Sequence, residues 1–354
     1  MTEAVATTRS EVPGDDALDL TLRMVLHLFG RAFKQEATAG WSAPGAVVLL
    51  GTSPGGPALA IVSRWGAKIA GRARDDGRLH VSTVHHPDDD LVLDPATRQG
   101  DTIPAWAAGI PELASSLLGA PSPAREFGGA SLLVYMDVPD ESGILAGPAL
   151  HTALALALAD LAGLPKEPAG LLAALGGQGE TAAAYAASLS GRHGHAMLIT
   201  AGSTVANHVA FDPAAAGLRL VLMSARPDEA ATPRQGWTPD PSDDARVGAA
   251  VEAIAGQDWA ALGSLFTTAH RAGLALREPV DADLLVDSAL ATGALGARAT
   301  SSKTAIALAP ATSLRDLRAA ALHAFARRGR LAPRFLTTGA LPPAVERPDS
   351  LLES

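Results

Sequence analysis

Trp41-Ser42-Ala43-Pro44-Gly45-Ala46-Val47-Val48-Leu49-Leu50-Gly51-Thr52-Ser53-Pro54-Gly55-Gly56 is the stretch on which the fold turns. Ala46 to Leu50 is apolar without a break, the pattern of a strand buried on both faces, and the Gly51 to Gly56 turn stops it. Working outward, Ala58 to Val62, Ala67 to Arg74 and Leu79 to Val84 read as short strands, and Asp75-Asp76-Gly77 is a hairpin turn signal. Upstream, Leu18, Leu22, Val25, Leu26 and Phe33 share one side of a helix over Leu18 to Phe33. Downstream, the pattern predicts a helix over Pro104 to Leu118, a strand over Ala130 to Asp137 and a long helix opening near Pro148, where a missing N–H has no partner to lose.

Beyond Lys166 the order continues with a helical region, Gly170 to Ser188. Strands follow at His195 to Thr200, Ala206 to Phe211 and Leu218 to Ser224, then a loop rich in proline and acid over Pro227 to Asp244. Helices at Arg246 to Ile254, Trp259 to Arg271 and Ala282 to Thr292 lead to a strand at Thr304 to Leu308, a helix at Leu314 to Arg327 and a closing strand at Pro333 to Leu336. Short mixed strands with helices imply an α+β architecture in two parts.

With 354 residues the chain is long for one core and comfortable for two domains. The expected division is a loose arm over 1–16, an N-terminal domain over 17–166 and a C-terminal domain over 167–354. A net charge of −9 argues against nucleic acid and anionic lipid as partners. The absence of cysteine excludes disulfides, thiolate metal sites and thiol catalysis. Met1 to Asp16 lacks the basic and apolar regions of a signal peptide. The longest apolar stretch, Ala149 to Leu164, contains His151 and Asp160 and is too short to span a bilayer. The expected location is the cytoplasm.

Several segments, taken in order, resemble the galactokinases of the GHMP sugar-kinase superfamily. Trp41 to Gly45 with the strand to Gly51 resembles their opening signature. Gly55-Gly56-Pro57-Ala58-Leu59-Ala60-Ile61 resembles their next strand, and Arg72 to Arg78 the hairpin after it. Asp137-Val138-Pro139, Gly143 and Ala149-Leu150 lie where the family carries its phosphate loop. Ala187-Ser188-Leu189, Gly194-His195-Ala196 and His208 to Asp212 resemble the start of its second domain. Asp287 to Arg298 resembles the helix and turn before its last glycine-rich motif, and Ala332 to Phe335 its closing strand. The resemblance implies two α+β domains with a cleft between them, an ATP- and Mg²⁺-dependent sugar kinase.

The residues such chemistry uses are missing at four places. Where the resemblance implies an arginine, an asparagine and then acidic sugar-binding residues, this chain has Ala46, Val48, Gly51, Thr52 and Ser53 in a shortened loop. Thr52 and Ser53 either hydrogen-bond a ligand, beside Gly55 and Gly56, or cap a turn. The phosphate loop, serine-rich in the family, reads Gly143-Ile144-Leu145-Ala146-Gly147-Pro148-Ala149 and carries no hydroxyl, while Asp140 and Glu141 add negative charge, as a metal pair or as a solvated loop. Counting back from Ala187-Ser188-Leu189 puts Ala184 at the catalytic aspartate, with Tyr185 next to it as a ligand contact or a cap on the pocket. The last motif is Thr300-Ser301-Ser302-Lys303 without its glycines, and Lys303 either meets an anion or shields a turn.

His85-His86 with Asp88-Asp89-Asp90 reads as an exposed acidic loop after Pro87, since adjacent histidines on a strand face opposite ways. His195 reads as structural, and His270 has no partner visible in sequence. No Gly-x-Ser-x-Gly elbow, Walker loop or Rossmann fingerprint is present. The expectation is a galactokinase-like protein that has lost phosphoryl transfer. It is expected to need no cofactor and to bind a sugar or metabolite, or a protein partner, in a vestigial cleft formed by Thr52, Ser53, Gly55, Gly56, Gly143, Gly147, Tyr185 and Thr300 to Lys303. The alternative is a divergent sugar kinase using ATP and Mg²⁺, or an enzyme that reuses the cleft for other chemistry.

Overall fold

The computed structural model describes residues 20–51, 53, 55–95, 99–100, 102–119, 127–138, 144–192, 194–200, 207–226, 243–275 and 279–338. In chain order the first elements are α1 (Leu20–Phe33), β1 (Ala39–Leu50), β2 (Ala58–Ala73), β3 (Leu79–Thr83), β4 (His86–Asp94), β5 (Gln99–Gly100), α2 (Ile110–Leu118), β6 (Ala130–Met136) and α3 (Ala146–Leu161). Then come α4 (Pro168–Leu175), α5 (Gly179–Ser190), β7 (His195–Ile199), β8 (Asn207–Ala210) and β9 (Leu218–Ser224). The remainder is α6 (Asp243–Ala255), α7 (Trp259–Leu274), α8 (Asp281–Ala291), β10 (Gly296–Ala299), β11 (Thr304–Pro310), α9 (Leu314–Ala326) and β12 (Arg334–Thr338).

The first sheet has the order β5-β4-β3-β6-β2-β7-β8, with β1 against β2 off that path. β2 organises it. The start of β2 pairs β7 from Ala58↔Ile199 to Ile61↔Ala196, its end pairs β6 from Ala67↔Met136 to Ala73↔Ala130, and β1 runs beside both halves. The two strands expected at Ala58 to Val62 and Ala67 to Arg74 are therefore one, and the register with β1 shifts twice, between Pro44 and Ala46 and between Val48 and Leu50. Such irregularities bend a hairpin. At the first of them a side chain on Gly66 would run into the Ala43 carbonyl, so only glycine keeps β1 and β2 in contact there.

One face of this sheet buries Trp41, Ile69, Leu79, Leu132 and Val134 under α2 and α3. α3 is apolar on all sides because it is enclosed by the sheet, α2, α4 and α5. The opposite face is covered by α1, whose Val25 and Phe29 pack on Ala70 and Leu133. Burying each such large side chain stabilises the fold by roughly 1.5–3 kcal/mol.

The second sheet, β10-β11-β9-β12, is antiparallel throughout. α8 and α9 bury one side, through Leu285, Leu317 and Phe325. The other side shares a core with α6, α7 and the ends of β1 and β2, where Leu49, Leu50 and Leu59 meet Leu220, Ile306 and Phe266. Although β7 and β8 lie beyond Lys166, they hydrogen-bond into the first sheet, so the expected 166/167 division does not coincide with a sheet boundary.

Three local expectations change. His86–Asp94 is a strand rather than an acidic loop, with Val84-His85 as its turn and Asp88 and Asp89 exposed. Pro104 to Leu118 splits at Gly109, whose φ of +83° ends one turn and starts α2. Gly170 to Ser188 splits into α4 and α5 at Gly176-Gly177-Gln178. The Pro227 to Asp244 loop lies outside the described residues except for Asp243 and Asp244, which open α6.

Candidate functional site

The break between α4 and α5 opens a cavity of 370 Å³ against the β1–β2 turn and the end of β7. Ser53, Gly55 and Gly56 form one wall, the Gly176 to Gly179 loop another, and Ile199 and Thr200 a third. On α5, Gly179, Ala182, Ala183 and Ala186 follow the i, i+3, i+4, i+7 spacing of one helical face and present it to the cavity. Gly55, Gly176, Gly177 and Gly179 all have φ between +54° and +87°, which other residues rarely adopt. Among the described residues, Ser53, Gln178 and Thr200 are the polar members of the lining, and none of the lining residues is ionisable.

Ser53 thus reaches the cavity, its carbonyl accepting from Gly56 N at 3.1 Å to close the turn. Gly55 and Gly56 reach it as well. Thr52 and Gly143, with Asp140 and Glu141, lie outside the described residues.

The flanks of the former phosphate loop are packed inward. Leu145 N donates to Ala46 O at 2.9 Å in an isolated bridge, tying this segment to β1 at the place where the resemblance implies an arginine. Ile144, 6% exposed, lies where a side chain on Gly45 would go and joins the same core as Val47 and Phe211. Gly147 sits in the first turn of α3 with open space beside it and no hydroxyl in that turn; it does not line the cavity.

α5 carries Ala184, the position that the resemblance gives to the catalytic aspartate, and Tyr185. Ala183 faces the cavity, while Ala184 is fully buried against the sheet. Tyr185 stands behind the wall rather than on it: its hydroxyl meets His151 Nδ1 at 2.8 Å, and its ring lies 3.1 Å from where a side chain on Gly177 would begin. His151 Nε2 lies 3.0 Å from Ala108 O and must be the donor there, so Nδ1 accepts from the tyrosine. Burial pushes the imidazole pKa below its ordinary value, which keeps that neutral tautomer. The pair props up the glycine loop from inside.

Thr300 to Lys303 form a tight turn closed on itself, away from the cavity. Thr300 and Ser301 hydroxyls lie 2.8 and 2.7 Å from Thr304 Oγ1, and Ser301 Oγ accepts from Lys303 N and Thr304 N. Ser302 O accepts from Ala282 N, and Lys303 is exposed.

Two ionisable side chains, buried Arg298 and half-buried Glu180, lie near the start of α5. Arg298, 6% exposed, donates from Nη1 to Leu49 O at 2.8 Å and so joins β10 to β1. Burial holds the Glu180 carboxyl above its ordinary value of 4.5, and the Arg298 charge offsets this only in part. Folding therefore favours the protonated acid. That contribution is fully present below pH 4.5 and is lost as pH rises through the higher folded value. Glu180→Gln is expected to melt above wild type at neutral pH and to lose that advantage in acid. Melts from about pH 4 to about pH 8 check this, and an advantage unchanged across the range would exclude it.

Three further histidines hold backbone or carboxylate groups outside the cavity lining. His85 Nε2 faces the Met136 backbone, His80 pairs Asp90 at 2.8 Å, and His270 accepts from Ala299 N at 3.3 Å with Asp283 3.8 Å from its other nitrogen. Among the described residues no group of three or more His, Asp or Glu could hold a metal ion. Gln178 and Thr200 were missed by sequence reasoning. The Gly176-Gly177-Gln178-Gly179 breaker cluster was the available signal, inside a region read as one helix.

No family model matches the chain. It is 27% identical to a galactokinase of Streptomyces coelicolor over 373 aligned residues, covering 86% of this chain and 93% of that protein. A Lactococcus lactis galactokinase structure, determined with galactose, superposes with a TM-score of 0.77 at 16% identity, over 90% of this chain and 98% of the other. Methanococcus jannaschii mevalonate kinase superposes with a TM-score of 0.55 at 11% identity, over 86% and 98% of the two chains. Identities that low carry the fold alone, while the sequence likeness to the Streptomyces protein points to one branch of it. By fold and by sequence together, this chain is galactokinase-like: it is similar in sequence to a galactokinase and shares the fold of galactokinase and mevalonate kinase.

Proposed function

We propose that this protein is a pseudokinase of the galactokinase type, binding a small ligand in the α4–α5 cavity without transferring a phosphoryl group. The observation that supports this is α5: Ala184, which the resemblance puts at the catalytic aspartate, is a fully buried methyl group, and the neighbouring cavity wall is Ala182, Ala183 and Ala186, so none of these positions offers a group that aligns or deprotonates an alcohol. General acid–base assistance is worth about 10²–10⁴ in rate, and positioned charge a good deal more.

The described residues do not fit a magnesium nucleotide. The first turn of α3 offers no hydroxyl to a cation, and Pro148 has no N–H to offer a phosphate. The hydroxyls of Thr300 and Ser301 are engaged with Thr304, and Ile144 fills the space over Gly45. We therefore assign no nucleotide or metal cofactor.

A sugar is the favoured ligand class, because the Lactococcus relative was crystallised with galactose and the cavity lies beside the β1–β2 turn that follows the resembling signature. A second reading, an ATP-dependent sugar kinase with a rebuilt site, draws on the likeness to the Streptomyces galactokinase across most of both chains. The two separate cleanly. With ATP, Mg²⁺ and galactose the protein is expected to release no ADP above its sugar-free background, while sugar alone raises its melting midpoint. Sugar-dependent ADP release would favour the second reading.

A further inference from the structure

We propose that the exposed face of α9 is a docking surface for an acidic amphipathic helix of a partner polypeptide, a role separate from the cavity. Leu314 to Arg334 holds six arginines and one carboxylate, Asp316, in a chain whose net charge is −9. α9 buries Leu317, Ala321 and Phe325 against the second sheet, which turns Arg315, Arg318, Ala319, Leu322, His323 and Ala326 outwards. Each of these six is exposed, Leu322 at 43%.

Support of the helix accounts for only part of this charge. Arg327, at the C-cap, is a cation where the macrodipole favours one, Arg328 acts on Asp287, and Arg330 lies 3.6 Å from Asp281. Arg315 stands in the first turn and Arg318 just after it, at the end where the dipole disfavours a cation. Arg318 also lies over the Phe335 ring, 6.0 Å from its centroid. These two arginines extend the positive face where the helix gains least from it.

Along that face Ala319, Leu322 and Ala326 run in line with Arg315, with Arg318 on one flank and His323 and Arg327 on the other. Leucines of a partner helix can cover Leu322 while carboxylates on either side of them meet the arginines. A phosphate backbone has nothing apolar to set on Leu322. Insertion into a membrane would need the apolar face of α9, which the core already holds. From Arg315 to Arg327 the row is about 18 Å long, which three to four turns of a partner helix would match.

The test is fluorescence anisotropy of the full chain with a labelled four-turn helical peptide that carries leucines along one stripe and glutamates on both flanks of it. The peptide is expected to bind, and to bind more weakly as salt rises from about 50 to about 300 mM. The double variant Arg315→Glu, Arg318→Glu is expected to weaken it about tenfold or more, and Leu322→Ser about threefold or more. All three positions are exposed, so both variants are expected to melt with the wild type. Poly-glutamate, a duplex DNA and vesicles of phosphatidylserine with phosphatidylcholine are the competing arms, each expected to bind more weakly than the peptide. No binding of the peptide, equal binding by the charge-reversed variant, or poly-glutamate bound as tightly as the leucine peptide would each overturn the inference. So would tighter binding of DNA or vesicles, or a salt-sensitive dimer lost in the charge-reversed variant, which would give the face to a second copy of this chain.

Discussion

Gly296→Ala is expected to cost about 3 kcal/mol or more of stability, at or beyond the top of the usual range for overpacked sites. Gly296 opens β10, and there its backbone lies directly on Gly263 of α7. A side chain on Gly296 would overlap the Gly263 carbonyl, and one on Gly263 would come within 2.5 Å of the Leu295 carbonyl group. Both sides of the contact are main chain, so no rotamer can yield. α7 would have to lift away, taking Leu262 and Phe266 out of the core they share with β9 and β11. The penalty is steric, since Gly296 does not need the left-handed region. Gly248→Ala, at an exposed helical position with nothing within 4 Å, is the control and is expected to be neutral or to stabilise by about 0.5–1 kcal/mol. Urea melts of both variants decide the matter. If Gly296→Ala melted with Gly248→Ala, the backbone contact would not be as close as described.

Trp41→Ala is expected to cost about 3–5 kcal/mol, a large share of the roughly 5–15 kcal/mol by which folded proteins are stable. Trp41 is 1% exposed in the core between the first sheet and α3. Its indole N–H donates to Asp160 Oδ2 at 3.2 Å, and Lys166 Nζ holds the other carboxylate oxygen at 2.7 Å. Gly71 on β2 gives the ring its space, because a side chain there would lie 2.9 Å from Trp41 Cζ3. Trp41→Phe separates the two contributions: it keeps most of the apolar volume and loses the N–H, for an expected cost of about 1–2 kcal/mol. Should the phenylalanine variant be as unstable as the alanine one, the hydrogen bond rather than the packing would carry the effect.

Much of the fold was legible because long apolar periods and glycine stops are local. α1, β3, β6, β9, α7, α8 and α9 fall close to where spacing alone places them. The residues that misled are informative. Pro87 and three aspartates suggested a loop, yet β4 pairs through Leu91, Val92 and Leu93, and that pairing extends the strand through the acidic residues at its exposed end. Gly296 to Ala299 is too short to show a period, and it became a strand through pairing with β11. Tyr185 is legible in sequence only by its place beside a motif, because its partner His151 lies on another helix.

By itself the sequence determined the family plan, the order of elements, an alanine where the resemblance implies the catalytic aspartate and a loop from Gly143 to Ala149 without a hydroxyl, because each of these is a property of residue identity or short-range spacing. Only the tertiary structure decided that the motif-four hydroxyls spend themselves on one another, that Tyr185 braces a wall with His151, and that a glycine loop absent from every motif opens the cavity. Those outcomes depend on contacts between residues tens to hundreds of positions apart or on local turn geometry. Neither periodicity nor motif spacing encodes which partner a side chain finds once the chain has closed on itself.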